Sequence, residues 1–442
     1  MVKKYFGTDG IRGTVGEEPL TAEFVLRLAS AAARVLAPDG GTVAIGKDTR
    51  VSGYMLESAL EAGFVAAGVD VLILGPLPTP GIAYLTRSLG ADFGVVISAS
   101  HNPYQDNGIK FFDHAGSKLS DEIEAKIETS LTNPATTVAS KLLGRAKRVD
   151  SARDQYQSFA LSTVSELLSL EGMKIVIDGA NGSGYKVAPR VFSELNAEVI
   201  PIACSPNGRN INLKCGTTYP ELLQTTVKGL NADLGIALDG DGDRLIMVDH
   251  NGDLVDGDQL LYLISTARKA AGTLNGPVVG TLMSNLGLEK ALLKKGIQFE
   301  RANVGDRYVL ELLHRLKGTI GGETSGHLIC LDKTTTGDGL VSALQVLEIL
   351  KDTQLSLAEL TIEMQKYPQT MINVDVQKSP DLTAPQILST VSEIEEELGD
   401  RGRVVLRASG TEPVVRVMIE GKDSNQVDQL AEKLAEVVKL NA

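Results

Sequence analysis

The chain has no basic surplus, little cysteine and no long apolar run. Its 442 residues carry a net charge of −13. That argues against a nucleic-acid partner, because phosphate backbones are bound by basic surface, although a local basic pocket for a small phosphate is still allowed. The three cysteines, Cys204, Cys215 and Cys330, have no metal-type spacing and suit reduced thiols in a reducing compartment. The apolar segment Phe24 to Leu36 is broken by Arg27 and Arg34, so it is expected to be an amphipathic helix, and no window has the length of a membrane span. Lys3 and Lys4 lead into Gly7-Thr8-Asp9-Gly10 rather than an apolar stretch, which is not a secretion signal. The expectation is a cytoplasmic protein without a membrane partner. Neither G-x-x-x-x-G-K-[ST] nor G-x-G-x-x-G occurs, which removes the usual nucleotide readings, and without G-x-S-x-G serine-hydrolase chemistry has no support.

A chain of this length exceeds one ordinary core, and about three or four units are expected. One local plan recurs three times: a short apolar strand, a polar Gly-containing turn, a helix and a second strand. The copies begin at Val43, at Lys174 and at Pro277. In the first copy the turn holds Lys47, Asp48 and Arg50. Buried β-branched runs alternating with helices indicate parallel strands with crossover helices, whose ligands gather beyond the strands' carboxyl ends. The tail differs, with a strand at Asn373, a Glu-rich helix over Ala384 to Leu398, two more strands and a closing helix. The expected fold class is therefore α/β, with three doubly wound domains and a smaller C-terminal α+β domain. Expected boundaries are 1–150, 151–252, 253–367 and 368–442.

Four polar loops carry candidate chemistry. In L-G-I-A-L-D-G-D-G-D-R, Gly240 and Gly242 let Asp239, Asp241 and Asp243 converge at a strand end. Three hard oxygen ligands suit Mg²⁺. The EF-hand alternative fails, because its sixth position would be Arg244 and its twelfth His250. A solvated Asp/Gly turn is the plain alternative, but three carboxylates without nearby cations would repel one another, which favours a metal. The run SASHNP after the strand F-G-V-V-I holds Ser100 next to His101, with Lys110 further on. Spacing alone suits Ser100 as a phosphoryl carrier and suits equally well an Asn-Pro turn that uses Ser locally. G-G-E-T-S-G-H offers Glu323 and Ser325 for sugar hydroxyls and His327 for proton transfer or phosphate contact, unless it is an ordinary turn. R-A-S-G-T-E-P with Arg416 combines Arg407, Ser409, Gly410 and Thr411 into a candidate phosphate nest, against the reading of a simple Ser-Gly hairpin.

Taken together, these loops resemble the α-D-phosphohexomutase family across nearly the whole chain. Five motifs stand in that family's order: FGTDGIRG from Phe6, SASHNP from Ser98, DGDGDR from Asp239, GETSGH from Gly322, and RASGTEP from Arg407. The resemblance implies four domains around a central cleft, with Ser100 as a phosphoserine. One Mg²⁺ per chain would be held by that phosphate and by Asp239, Asp241 and Asp243. A phosphoserine adds close to two negative charges, so Arg12, Lys110 and Arg244 are expected to complete the electrostatics. His101, Lys110 and His327 are candidates for proton handling, Lys110 first. The implied reaction interconverts glucosamine 6-phosphate and glucosamine 1-phosphate through glucosamine 1,6-bisphosphate, feeding UDP-N-acetylglucosamine synthesis. The amino sugar is suggested by FGTDGIRG at the N-terminus, by DKTTTGDG from Asp332, and by Thr324 where glucose and mannose relatives commonly carry Met. The expected partner is a small phosphosugar, with the chain a monomer or homodimer. Rival expectations are a phosphoglucomutase or phosphomannomutase, a Mg²⁺-dependent sugar phosphatase, and a non-catalytic sugar-phosphate sensor.

Overall fold

A computed structural model describes residues 4–376, 381–408 and 414–441. The three expected strand–helix–strand copies are present as parallel pairs. Gly41–Lys47 pairs with Val69–Pro76, Lys174–Asp178 with Glu198–Ile202, and Val278–Thr281 with Phe299–Ala302. Each pair lies in its own sheet, of seven, five and four strands respectively. The fourth sheet has three antiparallel strands, Gln369–Asp375, Val414–Gly421 and Gly402–Ala408, in that order. Helices Pro385–Leu398 and Ser424–Leu440 complete this last unit.

The sheets differ from the expected parallel arrangement in one respect. A core strand in each of the first three is followed by a tight loop and an antiparallel return: Phe93–Ile97 by Asp106–Asp113, Leu234–Leu238 by Leu245–Asp249, and Ile320–Gly322 by Leu328–Cys330. A crossover helix needs a dozen or more residues, whereas an antiparallel neighbour can be reached by a short turn. The loops that hold Ser100, the Asp trio and Glu323 are therefore hairpin connections at strand ends.

Packing explains why the units sit as they do. One buried apolar cluster runs through the first three units. It joins Leu77 and Ile82 to Ile177 and Val191, and on to Leu260, Leu288 and Leu344. The fourth unit keeps a separate core, with Val415, Val417 and Ile419 against Ile387, Ile394, Leu430 and Leu434. Its separate core marks the fourth unit as a body of its own. Helix Gly257–Ala270 starts at Asp256, which forms a capping box with Gln259. Helix Gly339–Thr353 starts at Asp338, whose carboxylate accepts from Val341 N and from the Tyr156 hydroxyl. Among the described residues no helix is long and apolar enough to cross a membrane.

Candidate active site

Ser100 stands just beyond strand Phe93–Ile97 with a φ of 51°. A left-handed backbone is costly for a non-glycine residue and persists only where its surroundings impose it. Several groups impose it here. Ser100 N donates to Ser98 Oγ (3.0 Å), and Ser98 Oγ donates to Asp48 Oδ2 (2.6 Å). The fully buried Arg50 guanidinium pairs with Asp48 (2.8 Å) and donates to the carbonyls of Ser100 (2.9 Å), Asn102 (2.8 Å), Asp106 (3.1 Å) and Pro103. Asn212, from the second unit, donates to the carbonyls of Ser100 and Asn102 at 2.9 and 3.0 Å. Carbonyls that would otherwise be buried without partners are satisfied, and the hydroxyl is left aimed outward from the strand end.

It is aimed at the aspartates. Ser100 Oγ donates to Asp239 Oδ2 at 2.6 Å and lies 3.3 Å from His101 Nδ1. A Cβ on Gly240 would stand 2.6 Å from the Ser100 carbonyl oxygen, so only glycine lets the two loops approach this closely. Asp239, Asp241 and Asp243 are all buried and present carboxylate oxygens within 4.8 Å of one another. Lys110 and Arg244, two of the cations expected around the trio, stand beside it. Lys110 Nζ lies 2.9 Å from Asp241 and 3.9 Å from Asp243. Arg244 N donates to Asp239 Oδ1 at 3.2 Å, and its guanidinium is within electrostatic reach of all three. Even so, Asp241 Oδ1 and Asp243 Oδ1 are buried without a hydrogen-bond partner. Burial, with the charges of Asp243 and Asp241, pushes Asp239 well above the ordinary carboxylate range. Burial opposes ionisation of Asp241 too, but Lys110 and the Thr79 hydroxyl hold it below its ordinary value. Buried hard oxygens with unused lone pairs fit a divalent cation of the Mg²⁺ type.

A second ring of charge surrounds this centre. Asp9 bridges Arg12 (2.5 Å), Lys110 (2.9 Å) and Lys118 (2.6 Å), and Lys118 also pairs with Asp306. Burial would lower Lys110, but Asp241, Asp9 and Asp243 raise it. His101 goes the other way, down to about 4, through burial and the charges of Arg244 and Arg12. His327 lies 3.5 Å from both Asp243 and Asp306. Burial acts against its charge, yet Asp243, Asp306 and Glu323 bring it up to about 9.

The loop Glu323–His327 is seated on the second unit. Gly326 has φ +91°, and a Cβ there would lie 2.1 Å from the Leu245 carbonyl oxygen. Glu323 Oε1 accepts from Gly305 N at 3.1 Å, and Ser325 is exposed. The Thr324 hydroxyl donates to buried Asp258 at 2.8 Å. Arg407 and Arg416 face each other across two strands of the fourth sheet, and burial plus the Arg416 charge lowers Arg407. Ser409, Gly410 and Thr411 lie outside the described residues. No hydrogen bond or ion pair among the described residues ties Arg407 to the Ser100 centre.

The structure thus brings Ser100, Lys110, His327 and the three aspartates into one buried site, with Arg12, His101 and Arg244 half-buried at its edge. Sequence reasoning missed Asp9, Arg50, Asn212, Thr79, Lys118 and Asp306 as parts of the site. Arg50 could have been found from its place in a polar turn at a strand's carboxyl end, and Asp9 sits inside the first motif. Asn212, Lys118 and Asp306 carried no signal.

Comparison with known proteins bears on this site. Models of the phosphoglucomutase/phosphomannomutase family match four stretches of the chain: alpha/beta/alpha domain I over residues 3–137, domain II over 154–252, domain III over 256–367 and the C-terminal domain over 371–437. A protein of Nitrosococcus oceani named phosphoglucosamine mutase is 58% identical over 440 residues, 99% of this chain and 98% of that protein. A putative phosphomannomutase from Thermus thermophilus superposes with TM-score 0.81 at 25% identity, covering 98% of each chain. The Aspergillus fumigatus N-acetylphosphoglucosamine mutase, solved with GlcNAc-6P and magnesium, has the same fold at TM-score 0.70 and 18% identity, covering 99% of this chain and 96% of that one. With four domains matched in order, this chain belongs to the phosphoglucomutase/phosphomannomutase family, the α-D-phosphohexomutases.

Proposed function

We propose that the chain is a phosphosugar mutase that interconverts glucosamine 6-phosphate and glucosamine 1-phosphate, with Ser100 as the phosphoryl carrier and glucosamine 1,6-bisphosphate as the intermediate. The observation that carries the reading is the 2.6 Å contact between Ser100 Oγ and Asp239, made across two units by a serine in a left-handed conformation. Asp239, Asp241, Asp243 and the phosphate on Ser100 would hold one Mg²⁺. Bound there, that ion would polarise phosphoryl oxygens and, by claiming Asp241 and Asp243, loosen the carboxylates that now hold the Lys110 proton.

The rest follows from the chain's own groups. A sugar monophosphate enters with its free hydroxyl toward phosphorylated Ser100. The bond from phosphorus to Ser100 Oγ breaks and a bond to the sugar oxygen forms; Lys110, charged at the start, gives its proton to the departing Ser100 oxygen and takes the hydroxyl proton of the sugar. Arg12, Arg244 and His327 surround the transferring group with positive charge, which is what phosphoryl transfer chiefly requires. The bisphosphate then turns over and returns its other phosphoryl group to Ser100; Lys110 gives its proton to the sugar oxygen left behind and takes the Ser100 hydroxyl proton in exchange. Arg407 and Arg416, with Ser409, Gly410 and Thr411, would hold whichever phosphate is not reacting. Glu323 and Ser325 would contact hydroxyls in both poses. Closure of the fourth unit would exclude water from the phosphoserine.

The amino sugar rests on the relatives' name and on the motifs around Phe6 and Asp332, with Thr324 acting only indirectly through Asp258. Chemistry of this kind suits a cytoplasmic enzyme that supplies UDP-N-acetylglucosamine synthesis. The test is intact mass with peptide mapping before and after incubation with glucosamine 1,6-bisphosphate. One added phosphate on Ser100 is expected, and a phosphate on any other residue overturns the mechanism. Turnover of glucosamine, glucose and mannose phosphates in parallel decides the sugar.

A further inference from the structure

With its own apolar core, the fourth unit is held to the third by polar groups. At the base of its sheet lies Glu420, fully buried at 0% exposure. Its carboxylate accepts from Arg403 Nε, directly opposite in register, and from Asn285 Nδ2 at 3.2 Å. Arg403 then leaves its own unit. Its two terminal nitrogens donate to the carbonyls of Leu282 (2.9 Å) and Ser284 (2.7 Å) in the third. Asn285 also grips the hinge, because its side chain donates to Tyr367 O at 3.0 Å and accepts from Tyr367 N at 2.9 Å.

The path continues to the sugar loop. Asn285 N donates to Asp258 Oδ2 at 2.8 Å, and the same oxygen accepts from Thr324 Oγ1 at 2.8 Å. Five residues therefore form one connected path, joined at Asn285 through its backbone N–H, from the Glu323–His327 loop to the base of the fourth sheet. At the other end of that sheet are Arg407 and Arg416, also opposite each other in register. Positions four apart on a strand share a face, so Arg403 and Arg407 project to the same side, about 13 Å apart. A tilt of ~10° at the base would shift the far end by about 2 Å over that length, enough to spoil the positioning of a phosphate. A buried ion pair adds little stability over apolar residues of the same shape.

We propose that Glu420 is a positioning residue: with Arg403 and Asn285 it fixes the angle at which the fourth unit presents Arg407 and Arg416, and through Asp258 it ties that angle to Thr324 in the sugar loop. The proposal rests on the reading of Arg407 and Arg416 as the phosphate clamp. It is tested in the full chain by Glu420→Gln and Arg403→Lys, each carrying spin labels on helices Asp306–Leu316 and Ser424–Leu440. Lysine keeps the charge but cannot span a carboxylate and two carbonyls at once, so this variant serves if Glu420→Gln does not fold. The expected result is a broader distance distribution between the labels and a KM for glucosamine 1-phosphate raised about tenfold, with kcat close to that of the parent. An unchanged distribution in folded variants overturns the proposal, whatever KM does. A broader distribution with unchanged KM overturns it as well, and Arg416→Ala then locates the fault: a raised KM in that variant leaves the clamp standing and removes only the positioning role, whereas an unchanged one removes the clamp itself.

Discussion

The Ser100 hydroxyl and the Asp239 carboxylate meet at 2.6 Å although they belong to different sheets. The contact places a nucleophile-type oxygen beside a carboxylate whose charge is disfavoured by burial and by two neighbours. An arrangement that is poor for three free carboxylates is good for a bound cation.

A metal should accordingly stabilise the protein, and Asp239 should be needed for it. Millimolar Mg²⁺ added to EDTA-treated protein should raise the melting temperature, since a ligand at a hundredfold its Kd contributes about 2.7 kcal/mol. Asp239→Asn removes one of the repelling charges. Its metal-free form should be at least as stable as the parent while its response to Mg²⁺ disappears. Calorimetric scans with and without the ion give both numbers. A retained Mg²⁺ response in this variant contradicts the site.

Arg50 should matter as much as the residues that do the chemistry. It is fully buried and satisfies four carbonyls of the Ser100 loop together with Asp48. Lysine offers no planar fork, so Arg50→Lys leaves several of those groups without partners. Breaking a buried charged network of this sort costs about 3–5 kcal/mol. The expected outcome is an unfolding free energy lower by that amount, together with slower labelling of Ser100 by glucosamine 1,6-bisphosphate. A loss of stability with unaltered labelling would show that the loop does not need Arg50 to present Ser100.

These two cases mark how far the sequence could be read. The Asp trio was legible because the three carboxylates lie within five residues, alternate with glycine and follow an apolar strand. The strand–helix–strand copies were legible from alternating patterns, and the fourth unit from its changed element order. Asn212 and Asp306 were not, because they reach the site from distant chain positions through packing that no local pattern encodes. The antiparallel returns were also hidden. A buried run looks the same whichever way its neighbour points, and only the shortness of loops such as Asp239 to Arg244 hinted at a hairpin. Thr324 was noticed as a polar residue where relatives carry Met, but its partner Asp258 lies 66 residues away and carried no local signal.

Asp258 makes stability depend on pH. Burial, with Asp256 adding to it, raises its pKa from an ordinary 3.8 to about 7. A raised carboxylate pKa means the folded state holds the proton more tightly than the unfolded one. The stabilisation is therefore complete below about pH 4 and is lost as pH rises through about 7. The N-terminus of helix Gly257–Ala270 favours the anion and offsets part of this, leaving an effect on the order of 2–4 kcal/mol. Unfolding free energies at pH 5 and pH 8 should differ less in Asp258→Asn than in the parent. The comparison is of slopes, since the amide brings a new buried donor and lowers the baseline.

Arg407 and Arg416 pose the opposite electrostatic problem from the trio. Like charges directly opposite on neighbouring strands repel, and burial makes the cost of charging Arg407 larger still. Two guanidinium groups opposite each other on one sheet can grip the non-reacting phosphate of the substrate together. Arg416→Ala should thus leave the fold intact and raise KM for glucosamine 1-phosphate by about tenfold to a hundredfold, the range expected for one charge-assisted phosphate contact. Ser100 should still take a phosphate from saturating bisphosphate, because nothing at the Ser100 loop is changed by the substitution. Steady-state kinetics and intact mass on the same preparation separate the two effects. Unchanged affinity and turnover would remove Arg416 from the clamp and would leave the two facing guanidinium groups without an explanation in substrate binding.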